Sequence, residues 1–150
     1  MDSVRLVRLV RHVCRLGLAG LFFWSGIAKT LDPAAFLASI EGFQILPYSW
    51  AWLVSITLPY LEITTALALV SGGNWTRAGA FVSGAMMAGF IGGIASAWIR
   101  GLEINCGCFG QSAEPSNYPW LLTRNTLLIL AAGFVFANAP LTIRRGVAKN

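Results

Sequence analysis

Four long apolar stretches limit the folds open to this chain more than any other feature of its sequence. They cover residues 13–31, 49–71, 78–99 and 121–138. Each is long enough to cross a hydrocarbon core as an α-helix, which takes roughly 20 residues. Only 11% of the residues are charged, whereas soluble domains carry about 25%. We therefore expect one all-α domain over residues 1–150, an integral membrane four-helix bundle with short loops.

Basic residues are distributed unevenly between the two ends of the predicted spans. Three of them, Lys29, Arg100 and Arg124, fall at one end. The other eight fall at the opposite end and are Arg5, Arg8, Arg11, Arg15, Arg77, Arg144, Arg145 and Lys149. Since positive residues near span ends stay in the cytoplasm, we expect a bacterial inner membrane protein with both termini cytoplasmic. The segments 30–48 and 100–120 would then lie outside.

The basic strip at the start of the chain does not predict nucleic-acid binding, although the net charge is +5. Arginines at spacings of three and four that lead into a membrane span are typical of contact with anionic lipid. The lipid bilayer is therefore the expected partner of this strip.

The most reactive feature is the pentapeptide Cys106-Gly107-Cys108-Phe109-Gly110, which lies in the second outer segment. Two thiols one residue apart close into a disulfide only as a tight, strained ring, and such disulfides are readily reduced. Gly107 and Gly110 give the backbone the freedom to bring the sulfurs together. The periplasm is an oxidising compartment where disulfides persist. The sequence therefore predicts Cys106 and Cys108 as a catalytic thiol pair, with the order of attack left open.

Other roles for these cysteines remain open from the sequence. They would form a permanent clip if the protein is a structural or accessory subunit of a membrane complex. A tetrahedral structural zinc site needs four ligands, and the loop offers two sulfurs while the single histidine, His12, lies at the opposite end. We therefore predict no metal site. A solute transporter built around Glu62 is a weaker alternative, because the chain shows no inverted repeat.

Glu62 lies near the middle of the second stretch. A carboxylate there costs roughly 2.5 to 3.5 kcal/mol on insertion scales, so we expect it to face the interior of the bundle. It would be protonated and bonded to the hydroxyl of Ser25 or Thr57, or else paired with Lys29 if the helices tilt or kink. A structural clamp and a proton-handling role are both consistent with this position.

Arg124 lies near the start of the fourth stretch, and we expect its guanidinium to point outward toward the cysteines. There it would favour a thiolate or hold a polar oxygen of a ligand, unless it only reaches the membrane interface. Trp98 and Trp120 would line a membrane quinone site together with Arg124. This quinone is expected only by analogy with other four-helix disulfide enzymes.

Local patterns predict how the helices pack and end. Small residues every four positions predict a face of the third stretch that lets another helix approach closely. They are Ala85, Gly89, Gly93 and Ala97, with Ala88, Gly92 and Ser96 beside them. Residues 71–77 are predicted to form a plain turn. Ser116 or Asn117, followed by Pro119, should begin the fourth helix.

Several motifs together resemble the MauE branch of the DoxX-like membrane proteins, over nearly the whole chain. After a basic N-terminus with Arg15, they are Phe23-Trp24-Ser25-Gly26-Ile27-Ala28-Lys29, Phe36, Leu46-Pro47, Leu58-Pro59-Tyr60-Leu61-Glu62, Asn105-Cys106-Gly107-Cys108-Phe109-Gly110 and Arg124-Asn125. The cysteine loop is the most specific of them.

This resemblance implies a four-helix membrane bundle that is redox-associated. For the family it implies methylamine metabolism and maturation of a disulfide-rich periplasmic dehydrogenase, alongside a thioredoxin-like partner. For this chain it implies disulfide exchange with such a partner and a client. The residues it would place in support of the cysteines are Lys29, Glu62, Gly107, Phe109, Gly110 and Arg124. Cys14 is extra to these motifs and is expected to be a small buried apolar residue.

Overall fold

The structure, a computed structural model, describes residues 3–102 and 117–139, and within these ranges every element is an α-helix. The helices are α1 (Ser3–Leu31), α2 (Pro33–Gly42), α3 (Tyr48–Ser71), α4 (Gly73–Ile99) and α5 (Tyr118–Asn138). The all-α prediction is confirmed. Three of these helices, α3, α4 and α5, are long and apolar enough to cross a membrane.

The four long helices pack side by side in the order α1, α3, α4, α5, and α5 also contacts α1. All four contribute to the main core, whose buried members are Leu18, Ala19, Phe22, Ala66, Leu69, Ala80, Met87, Ala132 and Val135. Large apolar side chains also point outward, among them Trp75, Phe81 and Leu130. An apolar exterior of this extent is the surface of a protein surrounded by lipid.

Helix α1 begins ten residues before the predicted span, because the arginine-rich stretch 3–12 is itself helical. Its charged residues make α1 less apolar than the other three long helices. At this end of the molecule, Arg11 Nη1 donates to the carbonyl oxygen of Asn138 at 2.8 Å. The start of α1 therefore lies beside the end of α5.

Helix α2 occupies part of segment 30–48, so the expectation that this segment is only a loop is wrong, while its location outside stays a prediction. Asp32 caps α2 by accepting a hydrogen bond from the Ala35 backbone N–H at 3.0 Å, and Pro33 takes the first helical position. Both are sequence signals for a helix start. Ten residues of helix are about 15 Å long, half of a hydrocarbon core of about 30 Å. Helix α2 is therefore too short to cross a membrane.

The turn between α3 and α4 is shorter than predicted, since residues 73–77 are already helical. Gly72 and Gly73 have φ of +86° and +56°, and two glycines in this region reverse the chain in the least length. Thr76 Oγ1 then donates to the Leu69 carbonyl oxygen at 3.1 Å. Gly79 allows the close approach, because a Cβ there would lie 3.0 Å from the Leu69 nitrogen.

The small-residue face of α4 does not pack as predicted. Ala85, Ala88, Gly89 and Gly92 are exposed in the described part of the chain, and only Ala97 at the far end of the series is fully buried. Gly93 faces the ring of Phe43, which would lie 3.6 Å from a Cβ at that position. Most of this face is therefore open toward the surroundings or toward the short segment that follows α2.

Helix α5 begins with the capping residue and the proline that the sequence predicts. The Asn117 side chain accepts a hydrogen bond from the Trp120 backbone N–H at 3.2 Å, and Pro119 lies in the first turn. The helix begins at Tyr118, three residues before the predicted boundary, and ends at Asn138 as predicted. An apolar pattern alone misses the capping turn, because the residues of that turn are partly polar.

Candidate functional site

A buried ion pair joins α1 to α3. Lys29 Nζ donates to Glu62 Oε1 and also to Ser25 Oγ at 2.7 Å. Both charged side chains are only 1% exposed. Of the three partners considered for Glu62, the structure therefore pairs it with Lys29 and places Ser25 beside the same ammonium. Thr57 is exposed and instead donates to the carbonyl oxygen of Leu53 at 2.9 Å.

The local sequence explains how the two helices come close enough for this pair. Ser25 and Lys29 are four residues apart and thus share one face of α1. Gly26 lies between them at the crossing with α3, where a Cβ would be 2.9 Å from the Pro59 carbonyl oxygen and 2.8 Å from Ile63 Cγ1. Because glycine has no Cβ, α3 can approach and Glu62 comes within reach of the ammonium.

Aromatic rings complete the surroundings of the ammonium. Lys29 Nζ lies 5.1 Å from the centroid of the Phe36 ring on α2 and 5.6 Å from that of Phe90 on α4. A lysine has three N–H donors, and two of them are used by Ser25 and Glu62. The electron-rich faces of the rings replace part of the lost hydration. Side chains from α1, α2, α3 and α4 therefore meet around one charge.

A small cavity lies beside the ion pair and brings in α5. Its volume of about 20 Å³ is enough for about one water molecule. Glu62 Oε2 has no hydrogen-bond partner among the described residues. The lining residues are Leu21, Phe22, Ser25, Glu62, Met87, Phe90, Arg124, Asn125 and Leu128. Arg124 thus borders the same polar interior as Glu62, which the sequence did not predict.

The cysteine loop, including Cys106, Gly107, Cys108, Phe109 and Gly110, lies outside the described residues. The pairing of its thiols and the approach of Arg124 to them therefore stay predictions. The structure does describe the residues on either side, up to Leu102 and from Asn117.

Leu102 and Tyr118, the described residues that lie closest in sequence to the cysteine loop and contact each other, are held together by a hydrogen bond. Tyr118 Oη donates to the carbonyl oxygen of Leu102, and the Tyr118 ring stacks on Trp98 with centroids 5.9 Å apart and 7° between the planes. Leu102 and Tyr118 also pack in a cluster with Phe43 and with the buried residues Ile94, Ala97 and Leu121. The end of α4 and the start of α5 therefore lie next to each other.

The predicted quinone-contacting residues are not gathered around one cavity in the described part of the chain. Trp98 and Trp120 are 51% and 62% exposed, whereas Arg124 lines the small cavity beside Glu62. Their contact with a quinone stays a prediction. Cys14 is half-buried against the main core, which fits its expected apolar packing.

Sequence reasoning missed several contributors to the site. Asn125 is 2% exposed, and its Nδ2 donates to the Leu121 carbonyl oxygen at 2.9 Å. Phe36 and Phe90 contact the ammonium, and Arg100 donates to the Gln44 carbonyl oxygen at 3.1 Å and to that of Phe43. A buried asparagine in an apolar stretch was a readable signal. Phe36 was part of the family motifs without a stated role, and Phe90 carried no signal, because many phenylalanines in such a chain face lipid.

An all-helical fold with an apolar exterior and a buried ion pair defines this chain as a helical membrane protein. Residues 7–138 match the family described as methylamine utilisation protein MauE. The chain therefore belongs to the MauE family, as its motifs indicated. It is 28% identical over 130 residues to the methylamine utilization protein MauE of Paracoccus denitrificans, covering 86% of this chain and 69% of that protein. No solved structure matches it.

Proposed function

We propose that this protein is a multi-pass protein of the bacterial inner membrane that exchanges thiols and disulfides in support of methylamine utilisation. Cys106 and Cys108 would carry the exchange at the periplasmic face. The observation that carries this proposal is the Cys-Gly-Cys sequence, which lies in the chain between two residues that are hydrogen-bonded to each other, Leu102 and Tyr118. We infer that both thiols lie near the end of the helices where Leu102 and Tyr118 meet.

The proposed exchange runs through a mixed disulfide with a periplasmic thioredoxin-like protein. The thiolate of one cysteine attacks a sulfur of the partner's disulfide, forming one S–S bond and releasing one partner thiolate. The second cysteine then attacks the mixed disulfide and closes the Cys106–Cys108 bond. Two electrons pass from this protein to its partner, which ends as a dithiol. In the opposite direction the same steps oxidise the partner, which then acts on a client with disulfides.

The distribution of basic residues supports the proposed orientation, with four spanning helices and both termini in the cytoplasm. Arg11 lies beside Asn138, and the Arg77 guanidinium lies over the Phe136 ring at 4.5 Å from its centroid. These arginines are at the end of the helices opposite to Tyr118. Positive residues mark the cytoplasmic side, so the cysteine segment is proposed to be periplasmic.

The ion pair is proposed to support the exchange by fixing α1 and α3 beneath the cysteine segment, and Glu62 is the candidate for proton handling. Glu62→Gln keeps the shape of the side chain but removes its exchangeable carboxyl proton. Because Glu62→Gln also leaves the Lys29 charge unpaired and so destabilises the protein, exchange activity is compared per folded molecule, and it falls if a proton on Glu62 matters. If activity is unchanged, Glu62 serves packing alone.

The decisive experiment is thiol alkylation in intact cells with a membrane-impermeant reagent, before and after mild reduction. A Cys14→Ala background leaves only Cys106 and Cys108 to react. We expect labelling from outside that increases after reduction. Labelling only after the cells are broken, or labelling that never changes with redox conditions, would falsify the proposal. Cys106→Ser and Cys108→Ser should each insert normally yet fail to mature a disulfide-bearing client.

A second candidate function is that of a structural subunit in a membrane complex, with the cysteines as a permanent clip. The exposed small residues Ala85, Ala88 and Gly92 on α4 favour it, because such a face allows a helix of another protein to approach closely. Full client maturation in the two cysteine variants, together with resistance of the native disulfide to mild reductants, would select this candidate.

A further inference from the structure

One oxygen of the buried ion pair needs a hydrogen-bond donor. Glu62 Oε1 accepts from Lys29, whereas Glu62 Oε2 has no partner among the residues that the structure describes. The Glu62 side chain is only 1% exposed, so bulk solvent does not reach it. Burying an acceptor without a donor is costly, and most buried polar atoms therefore bond to the protein or to an ordered water molecule. The small cavity that Glu62 lines is the place for such a donor.

Helix α5 brings a second acceptor to the same cavity. Asn125 lines the cavity and is 2% exposed. Its Nδ2 donates to the Leu121 carbonyl oxygen at 2.9 Å, and its side chain makes no other hydrogen bond with the described residues. This bond fixes the orientation of the amide, since only the nitrogen can donate to a carbonyl, and it leaves Oδ1 as an acceptor. Glu62 Oε2 and Asn125 Oδ1 therefore belong to two buried residues that line one cavity.

The size and the charges of the cavity limit what can occupy it. A volume of about 20 Å³ admits one water molecule and no organic ligand. A metal cation is disfavoured by the Lys29 ammonium beside Glu62 and by Arg124, which lines the cavity. An anion cannot donate a hydrogen bond to either acceptor. A water molecule can donate two hydrogen bonds, one to each acceptor.

We propose that one buried water molecule binds in this cavity and donates to Glu62 Oε2 and to Asn125 Oδ1. Asn125 is then a positioning residue for Glu62, because it holds the carboxylate from α5 through the water, while Lys29 holds it from α1. Arg124 also lines the cavity, and a guanidinium has five N–H donors, one of which suits the oxygen of the water. The water site joins α5 to the ion pair of α1 and α3, and it does not depend on thiol exchange.

The test is infrared spectroscopy of the purified full-length protein in lipid nanodiscs, with buffer made from ordinary water or from water enriched in oxygen-18. A buried water molecule gives an O–H stretching band that is separate from the bands of bulk water and shifts with the isotope. We expect such a band in the wild type. Glu62→Gln should shift it, because a hydrogen bond to a charged oxygen is stronger than one to a neutral amide.

Two asparagines of α5 provide a matched comparison. Asn125→Leu removes one acceptor of the water, so we expect loss of the water band and a shift of the Glu62 carboxylate bands, which are identified by their absence in Glu62→Gln. Asn138 Nδ2 also donates to the carbonyl oxygen four residues earlier, that of Phe134, at 2.9 Å, but Asn138 does not line this cavity. Asn138→Leu should therefore keep both signals. A purely structural Asn125 would make the two variants behave alike.

A second pair of variants keeps the test valid if Asn125→Leu fails to fold. Leu128 lines the cavity, so Leu128→Phe fills it while Asn125 is retained, and the water band should be lost. Leu127 is 60% exposed on the same helix, so Leu127→Phe adds the same ring away from the cavity and should keep the band. Circular dichroism and size-exclusion profiles confirm that each variant is folded.

Three results would overturn the proposal. The first is a wild-type spectrum without an isotope-sensitive band of a buried water molecule. The second is an unchanged water band in folded Asn125→Leu or Leu128→Phe protein, since the water would then lie elsewhere. The third is loss of the water band in Asn125→Leu with no shift of the Glu62 carboxylate bands, because Asn125 would then not position Glu62.

Discussion

At the scale of single residues, the Lys29–Glu62 pair carries the largest energetic consequence. Removing one partner of a buried pair leaves an uncompensated charge and costs about 3–5 kcal/mol, whereas replacing both by apolar residues is often nearly neutral. We expect Lys29→Met and Glu62→Leu each to lower the free energy of unfolding by about that amount. The double variant should lose much less than the sum. Unfolding in detergent micelles measures all three, with exposed Thr57→Val as the control.

A strictly additive double variant would show that the two charges do not interact, contrary to their contact in the structure.

Gly26 provides a second prediction at this scale. In Gly26→Ala the new methyl group would meet the Pro59 carbonyl oxygen at 2.9 Å, and a backbone atom cannot move aside as a flexible side chain can. Overpacking of this kind typically costs about 1–3 kcal/mol. Gly20→Ala is the matched control on the same helix, because its methyl group would meet nothing within 4 Å. Thermal unfolding should separate the two variants, and equal stability would contradict the close crossing.

The sequence identified Glu62 as a residue in need of a partner, but it could not choose between Lys29 and a hydroxyl. That choice depends on how far α1 and α3 are shifted along each other, and no local pattern specifies such a shift. Gly26 was part of a recognised motif, yet its reason became clear only from the distance to Pro59. The cavity shared by Glu62, Arg124 and Asn125 likewise depends on the relative rotation of two helices.

At the scale of elements, the end of α4 and the start of α5 are joined through Tyr118. Tyr118→Phe removes the hydrogen bond to the Leu102 carbonyl but keeps the stack on Trp98. We expect a loss of about 0.5–1.5 kcal/mol, the net value of one hydrogen bond. Limited proteolysis within residues 103–116 should become faster. Tyr60→Phe, at a site that is 60% exposed, should leave the rate unchanged.

If the Tyr118→Phe protein is cleaved no faster than the wild type, the stack on Trp98 alone is enough to keep the start of α5 beside the end of α4.

Helices with a long apolar pattern were predictable, and their last residues were predicted more closely than their first residues. The ends of α3, α4 and α5 at Ser71, Ile99 and Asn138 agree with the sequence, because the apolar pattern stops there. Helix α2 was not predicted, although Asp32 and Pro33 are sequence signals for a helix start. Its ten residues give a much shorter apolar pattern than spans of twice that length. The turn at Gly72 was predicted too long, because positive φ at two successive glycines is not visible in composition.

At the scale of the whole molecule, the number of spans decides whether the termini share a compartment. Helix α2 is half the length needed to cross, so α1, α3, α4 and α5 make an even number of spans if α1 crosses with the rest. We expect reporter fusions at residue 1 and residue 150 to be active in the cytoplasm, and one inserted near residue 111 to be active in the periplasm. Opposite locations for the two termini would exclude α1 or include α2 as a span.

The buried ion pair also has a consequence for biosynthesis. Lys29 and Glu62 are 33 residues apart in the chain, so the lysine reaches the membrane before the glutamate has emerged from the ribosome. Each of them alone is costly in hydrocarbon. Insertion of α1 into the lipid is therefore more favourable together with α3 than alone. We expect the two helices to leave the insertion machinery as a hairpin that the ion pair already joins.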